Sequence, residues 1–270
     1  MIGFHRFQIG DFAAVTVNDG QFAREAGIFF GSVPDAELEP VLAANGLTRD
    51  AVPSWFDPLY LDTGQHKVIV DTGNGAERGG QIMTNLQAAG IDPADIDTVI
   101  ITHAHVDHIG GNTTPDGMLA FPNARYYIGR DEWNYWTSSE VLNLRPERAP
   151  LLRRNLSDIE RVFTFVEGEA EIVPGIQAIP TPGHSPGHIA LLVAGAMLHV
   201  GDALHQPLHA EYPDWSASFD TYPDVAPAAR RKLMKMAVEQ NLRVFGFHFP
   251  FPGYGRVTPK GATWTWQPEL

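Results

Sequence analysis

The segment Thr102-His103-Ala104-His105-Val106-Asp107-His108 constrains this chain more than any other stretch. Three imidazoles and a carboxylate fall within six positions, His103 to His108, directly after an apolar run. Imidazole and carboxylate are ligands for zinc, iron, manganese and related ions. The approach, Asp97-Thr98-Val99-Ile100-Ile101-Thr102, is rich in β-branched side chains and predicts a buried strand. Gly110 and Gly111 follow, so the ligands are expected on a turn at the strand's carboxyl end. His103 and His105 are two apart and can point the same way from extended backbone. Asp107 and His108 lie past the bend and can face a second position, which predicts two metal ions side by side.

The remaining ligands are expected at later strand ends. Thr181-Pro182-Gly183-His184-Ser185-Pro186-Gly187-His188 follows an apolar run at Ile176–Ile179, and its Pro and Gly residues build a tight loop that presents His184. His188 opens the next strand and is expected behind the ligands. Gly201-Asp202 follows Met197–Val200, and a carboxylate there can bind both ions. His248 follows Arg243–Phe247 at one more strand end.

The rest of the chain reads as mixed strands and helices. Phe12–Val17, Leu59–Asp62 and Lys67–Val70 predict strands, the last two as a hairpin, and Asp71 follows the second of them. Ile82, Leu86 and Ala89 recur at helical spacing. A strand is expected around Ala124–Ile128, then helices from about Asp131 and over Pro146 to Glu160. Val162–Val166, Ile176–Ile179 and Ile189–Val193 read as further strands. Trp55 and Phe56 fall in an expected loop, and His205 to Tyr222 reads as a long one. Pro227 to Gln240 predicts an amphipathic helix whose Arg230-Arg231-Lys232 run is expected to face solvent. This is an α/β layered architecture, expected as one domain over residues 1–270.

At this point the residues resemble the metallo-β-lactamase superfamily of dinuclear hydrolases. The matching pieces are Asp71 after its strand, His103-x-His105-x-Asp107-His108, His184, Asp202 and His248. The resemblance implies an αββα four-layer sandwich with the metals at one edge of the two sheets. It implies His103, His105 and His184 on one ion, Asp107, His108 and His248 on the other, and Asp202 bridging, with Asp71 orienting a ligand imidazole. Within the superfamily the chain looks similar to the N-acyl homoserine lactonase and methyl parathion hydrolase branch. Its Phe121-Pro122-Asn123-Ala124, Thr181-Pro182-Gly183-His184, Gly201-Asp202 and Phe247-His248-Phe249-Pro250 segments carry that likeness. A homodimer is an expectation of the same kind. True β-lactamases carry Cys or Ser at the place of Asp202, and hydroxyacylglutathione hydrolases add a helical extension for which Phe249 to Leu270 leave little room.

Two cations at such a site hold a bridging hydroxide and polarise a substrate oxygen. The expected reaction is therefore lactone or ester hydrolysis, with an aryl phosphotriester as the alternative substrate. Asp107 and Asp202 are the expected catalytic carboxylates, with Asp107 passing a proton to the leaving oxygen. Zinc is the expected metal, and Mn, Fe or Co suit the same donors. Trp55, Phe56, Trp133, Trp136, Leu204, His205, Phe249 and Phe251 are expected to line an apolar cleft, although a loop histidine such as His205 or His209 is ordinarily solvated. A formal net charge of −13 argues against nucleic acid and anionic membrane as partners and suits a neutral small molecule. The chain has no cysteine, which excludes disulfides and thiolate chemistry. Met1 to Gly20 shows no apolar signal region, so a cytoplasmic location is expected.

Overall fold

The strand run that ends in the histidine cluster is buried on both faces. In the computed structural model, which describes residues 3–31 and 33–269, it is an interior strand of a sheet covered on either side. That sheet has seven strands: β1 (Phe4–Ile9), β2 (Phe12–Val17), β5 (Leu59–Asp62), β6 (Lys67–Val70), β7 (Thr98–Ile101), β8 (Arg125–Gly129) and β9 (Phe163–Val166), in that order. A second seven-stranded sheet runs β10 (Ala170–Val173), β11 (Ile176–Pro180), β12 (Ile189–Val193), β13 (Met197–His199), β14 (Arg243–Phe245), β15 (Tyr254–Lys260) and β16 (Thr263–Pro268). A two-stranded ribbon, β3 (Gly20–Arg24) with β4 (Val52–Phe56), stands apart from both.

Side-chain alternation builds the layers. Val68, Val70 and Ile100 point to one side of the first sheet and meet Ile176, Ala178, Leu191, Met197 and Phe245 of the second. Ile69, Val99 and Ile101 point the other way, under Ile82, Leu86, Trp133, Trp136 and Leu152 of the covering helices. On the second sheet Leu198 and Val244 pack outward against Leu233, Met234 and Ala237 of the helix Ala226–Glu239. The result is helix, sheet, sheet, helix, the four-layer sandwich the resemblance implied. Strands with both faces buried read as continuous apolar runs, which is why β6 and β7 were legible as strands.

Pairing is parallel from β6 through β9 and again between β13 and β14. Parallel neighbours end at the same edge, so Asp71, His103 and, in the other sheet, Asp202 and His248 leave their strands on one side of the molecule. No helix among the described residues is long and apolar enough to cross a membrane.

Three sequence expectations change. Trp55 and Phe56 lie in β4 rather than a loop, and β4 is short and contains Pro53, which hid its period. The loop from His205 to Tyr222 contains the short helix Leu208–Glu211, and both its histidines are buried rather than solvated. His209 donates from Nε2 to the Phe29 carbonyl at 3.2 Å and accepts from the Gln206 N–H at 3.2 Å. Arg230 is fully buried, while Arg231 alone of that pair reaches out to Asp214.

His199 in β13 is a buried imidazole stacked on Phe245, with Nδ1 accepting from the Gly201 N–H at 3.2 Å. Burial pushes it down to about 4. The unfolded chain therefore takes up this proton first, as pH falls through about 6.5, and stability is lost between there and about 4. Between pH 7 and pH 5 this single group should cost about 2 kcal/mol. Urea unfolding of wild type and His199→Asn at the two pH values checks it: the variant should lose about 2 kcal/mol less than wild type over that interval.

Candidate metal centre

Five strand termini converge on one point. His103 and His105 follow β7, and Asp107 and His108 sit in the single helical turn Val106–Ile109 beyond them. His184 lies on the loop from β11 to β12, Asp202 in the turn after β13, and His248 just past β14. Asp71, at the end of β6, adopts a left-handed backbone (φ 60°) that turns its carboxylate back under the cluster.

Three ring nitrogens face one another. His184 Nε2 lies 3.1 Å from His103 Nε2 and 2.8 Å from His105 Nδ1, and the last two are 3.1 Å apart. Hydrogen bonds on the far side settle which nitrogens carry protons. His184 Nδ1 donates to Asp220 Oδ1 at 3.0 Å, and His103 Nδ1 lies 3.2 Å from Thr102 Oγ1, which itself donates to Asp71. The inward nitrogens of His103 and His184 are thus lone pairs, pressed together with Nδ1 of the His105 ring. A tetrahedral ion with bonds of 2.0–2.1 Å has ligand–ligand edges of about 3.3 Å, so the triangle matches one ion.

A second group lies alongside. His108 Nδ1 donates to Asp71 Oδ2 at 2.9 Å, and His248 Nδ1 donates to the Trp55 carbonyl at 2.7 Å. His248 Nε2 lies 3.5 Å from Asp107 Oδ2, and His108 Nε2 lies 3.9 Å from the same oxygen. Asp202 joins the two groups. Its Oδ2 is 3.6 Å from both His103 Nε2 and His184 Nε2 and 3.2 Å from His248 Nε2, while Oδ1 is 3.3 Å from His108 Nε2. His108 Nε2 and Asp202 Oδ1 are buried without a hydrogen-bond partner among the described residues. Two buried polar atoms left unpaired and aimed at one space, among imidazoles and carboxylates, are what a cation-binding centre requires, so the residues present fit a pair of metal ions.

Electrostatics agree. Burial and neighbouring imidazoles hold His103, His105 and His184 below the ordinary imidazole range, which keeps them neutral and able to ligate. Burial alone would raise Asp202, but His248, His108, His205 and His103 around it hold it well below the usual carboxylate range. Burial alone would lower His108, but Asp202, Asp71 and Asp107 push it well above, and an ion at Nε2 would take the place of that proton.

Behind the ligands, Asp71 accepts from the Thr102 N–H and hydroxyl as well as from His108. His188 sits beneath Asp202, accepting its N–H at 3.0 Å, with Nδ1 2.8 Å from Thr181 Oγ1. Asp220 binds His184 on one oxygen and Arg230 Nη2 at 2.8 Å on the other. Arg230 also donates to the carbonyls of Ala203, Pro213 and Trp215. Sequence reasoning missed Asp220 and misplaced Arg230. Asp220 lies in a loop without periodicity, but Arg230 follows Ala229 on the helix face that also buries Leu233, an apolar stripe that could have signalled burial.

The cluster opens into a cavity of about 260 Å³ lined by Phe22, Ile28, Phe29, Phe56, Phe219 and His205, with Arg24, Arg78 and Arg148 also on its wall. Of the residues expected there, Phe56 and His205 are in place. Trp133 and Trp136 are core residues under the first sheet, although the Trp136 ring lies 5.0 Å from that of His105. Leu204 and Phe249 are core residues of the second sheet, and Phe251 packs near His5 instead. Trp55 faces away from the cluster into a separate 190 Å³ cavity with Trp266, because alternation along β4 sends Trp55 and Phe56 to opposite sides. Phe22 and Phe29 come from the ribbon and a short helix far earlier in the chain, with no local mark of a pocket.

The Metallo-beta-lactamase superfamily profile matches residues 59–248. An N-acyl homoserine lactonase of Bacillus cereus is 31% identical over 219 residues, 79% of this chain and 78% of that protein. The solved structure of AidC, a dizinc quorum-quenching lactonase in complex with a product, is 30% identical with a TM-score of 0.90, covering 99% of this chain and 98% of that one. The hydrolase AbOPH in the beta lactamase superfamily also has a TM-score of 0.90 over 100% and 98% of the two chains, at 22% identity, a likeness of fold alone.

Arg230→Met should cost about 3–5 kcal/mol, because it strands the Asp220 carboxylate in the interior. Denaturant unfolding checks this, and a loss below about 1 kcal/mol would contradict the buried pair.

Proposed function

The chain belongs to the metallo-beta-lactamase superfamily, and on that premise we propose that it is a dinuclear metal-dependent hydrolase that opens N-acyl homoserine lactones. The observation that carries the reading is Asp202, one buried carboxylate that stands between both groups, with Oδ2 near His103, His184 and His248 and Oδ1 near His108. His103, His105 and His184 would hold one ion, Asp107, His108 and His248 the other, and Asp202 both. Zinc suits this donor set and is the metal of the AidC lactonase; Mn, Fe or Co would satisfy the same ligands. When bound, the ion pair supplies a hydroxide at neutral pH and draws charge from the scissile carbonyl.

The chain's own residues do the rest. The cavity is walled by Phe22, Ile28, Phe29, Phe56 and Phe219, which takes an acyl chain, while Arg24, Arg78 and Arg148 offer donors to amide and carbonyl oxygens. Ring opening leaves an alkoxide that needs a proton. Asp107 is the carboxylate to carry it, with a side chain 21% exposed to the cleft against 3% for Asp202. His205 lines the same cleft, and its Nδ1 lies 3.2 Å from Asp202 Oδ2 without hydrogen-bond geometry. No relative named above favours the phosphotriester alternative.

One panel on metal-analysed protein tests the reading: acyl-homoserine lactones of several chain lengths, simple γ- and δ-lactones, aryl esters, paraoxon, nitrocefin and lactoylglutathione. Acyl-homoserine lactones should give the highest kcat/KM. Each methylene buried on the aromatic wall contributes about 0.8 kcal/mol, so lengthening butanoyl to hexanoyl should improve kcat/KM by up to about fifteenfold. Asp202→Ala should lose metal and turnover together. Dominant turnover of nitrocefin or lactoylglutathione, or full metal content in Asp202→Ala, overturns it.

A further inference from the structure

Glu132 is a carboxylate with no measurable exposure, in the helix Arg130–Trp136 that follows β8. All four of its hydrogen bonds are to donors from elsewhere on its helix or from the ligand loops. Oε1 accepts from the Ala104 N–H at 2.9 Å and from Trp136 Nε1 at 2.6 Å. Oε2 accepts from the Ser185 hydroxyl at 2.7 Å and from the Gly187 N–H at 2.9 Å. Ala104 stands between His103 and His105, Ser185 follows His184, and Gly187 precedes His188. One side chain therefore ties together the two loops that carry His103, His105 and His184. The approach is close: a Cβ at Gly187 would fall 2.0 Å from the Glu132 nitrogen, so the loop can only press against this helix as glycine. The two remaining histidines of the cluster are anchored elsewhere, His108 on Asp71 and His248 on the Trp55 carbonyl.

A buried carboxylate is costly, and four donors are what make this one tolerable. Only a group with two acceptor oxygens can hold both loops. Glutamine in its place would turn an amide NH₂ toward either the Ala104 and Trp136 N–H groups or the Ser185 and Gly187 donors, so one loop would have to move. We propose that Glu132 is a positioning residue that sets the metal affinity of the His103–His105–His184 half of the centre and leaves the other half unaffected. The proposal rests on the two-ion reading above.

The test measures two stepwise dissociation constants for Zn²⁺ by competition with a chromophoric chelator, and the visible spectrum of the Co²⁺ form. Wild type, Glu132→Gln and Ser185→Ala are compared, with His184→Ala marking which constant belongs to the three-histidine half. In Glu132→Gln that constant should weaken about 10–100-fold while the other stays within about threefold, and only one half of the Co²⁺ spectrum should change. Ser185→Ala, which removes one donor of four, should weaken the same constant by a few-fold with its circular dichroism unchanged. Unchanged constants in Glu132→Gln, or equal weakening of both alongside lowered thermal stability, would overturn the assignment. If Glu132→Gln does not fold, Ser185→Ala decides, and unchanged constants there overturn it. A wild type that holds fewer than two ions would instead bring down the two-ion reading itself.

Discussion

The structure depends on holding lone pairs together that repel one another. Three inward nitrogens lie within 3.1 Å of each other beside a buried carboxylate, and two of them are lone pairs fixed by outer hydrogen bonds, an arrangement that a cation among them would stabilise. The fold manages the cost from behind. His108 gives its outer N–H to Asp71, His184 to Asp220 and His248 to a backbone carbonyl, so each ring is fixed in tautomer and in angle before any ion arrives. Those partners are in turn held, Asp71 by Thr102 and Asp220 by Arg230, so the demand for order passes outward until it meets rigid backbone.

Two packed sheets are a suitable source of that rigidity. Parallel strands bring successive strand ends to one edge, and the pairing of β6 with β7 and of β13 with β14 sets Asp71 beside the histidine turn and Asp202 beside His248. The inter-sheet core of Val68, Val70, Ile100, Leu191, Met197 and Phe245 is fully buried, which fixes the distance between the two edges. An atom-scale arrangement between two sheets is possible because the side chains between them cannot move.

The sequence made the inward layer legible and little else about the site. His103 to His108 are contiguous, and His184, Asp202 and His248 each follow an apolar run, so a strand reading also located them. Of their partners, Asp71 and His188 were legible because they too lie at strand ends, and the others were not. Glu132 lies between residues of an aromatic helix and reads as its solvent face, and Asp220 lies in a loop. Arg230 sits in a cationic run beside the half-exposed Arg231, and only the apolar stripe it shares with Ala229 and Leu233 separates the two. The cleft was least legible. Trp133 and Trp136 attracted attention by size but fill the first sheet's outer core, while the walls come from Phe22, Phe29 and Phe219, far apart in the chain.

That division has a physical consequence. The centre stands on the two sheets, whereas much of the cleft's aromatic wall stands on the ribbon β3–β4 and the short helix Ala26–Phe29, packed on a cluster of their own with Leu38, Leu42, Leu208 and Trp215. The two parts meet directly: Trp55 accepts from His248, Phe22 and Phe56 stand edge-on to the His248 ring, and Phe219 stands edge-on to the His184 ring. Groups in contact do not contribute additively, so changes at these wall residues act on the ligands as well as on the cleft, most directly through β4. There the coupling is built in, because alternate residues of one strand serve both parts: Phe56 faces the substrate cavity, and the carbonyl of Trp55 orients a metal-facing imidazole. A shift of that strand to admit a bulkier acyl chain would carry His248 with it, so the reach of the cleft is limited by the centre it serves.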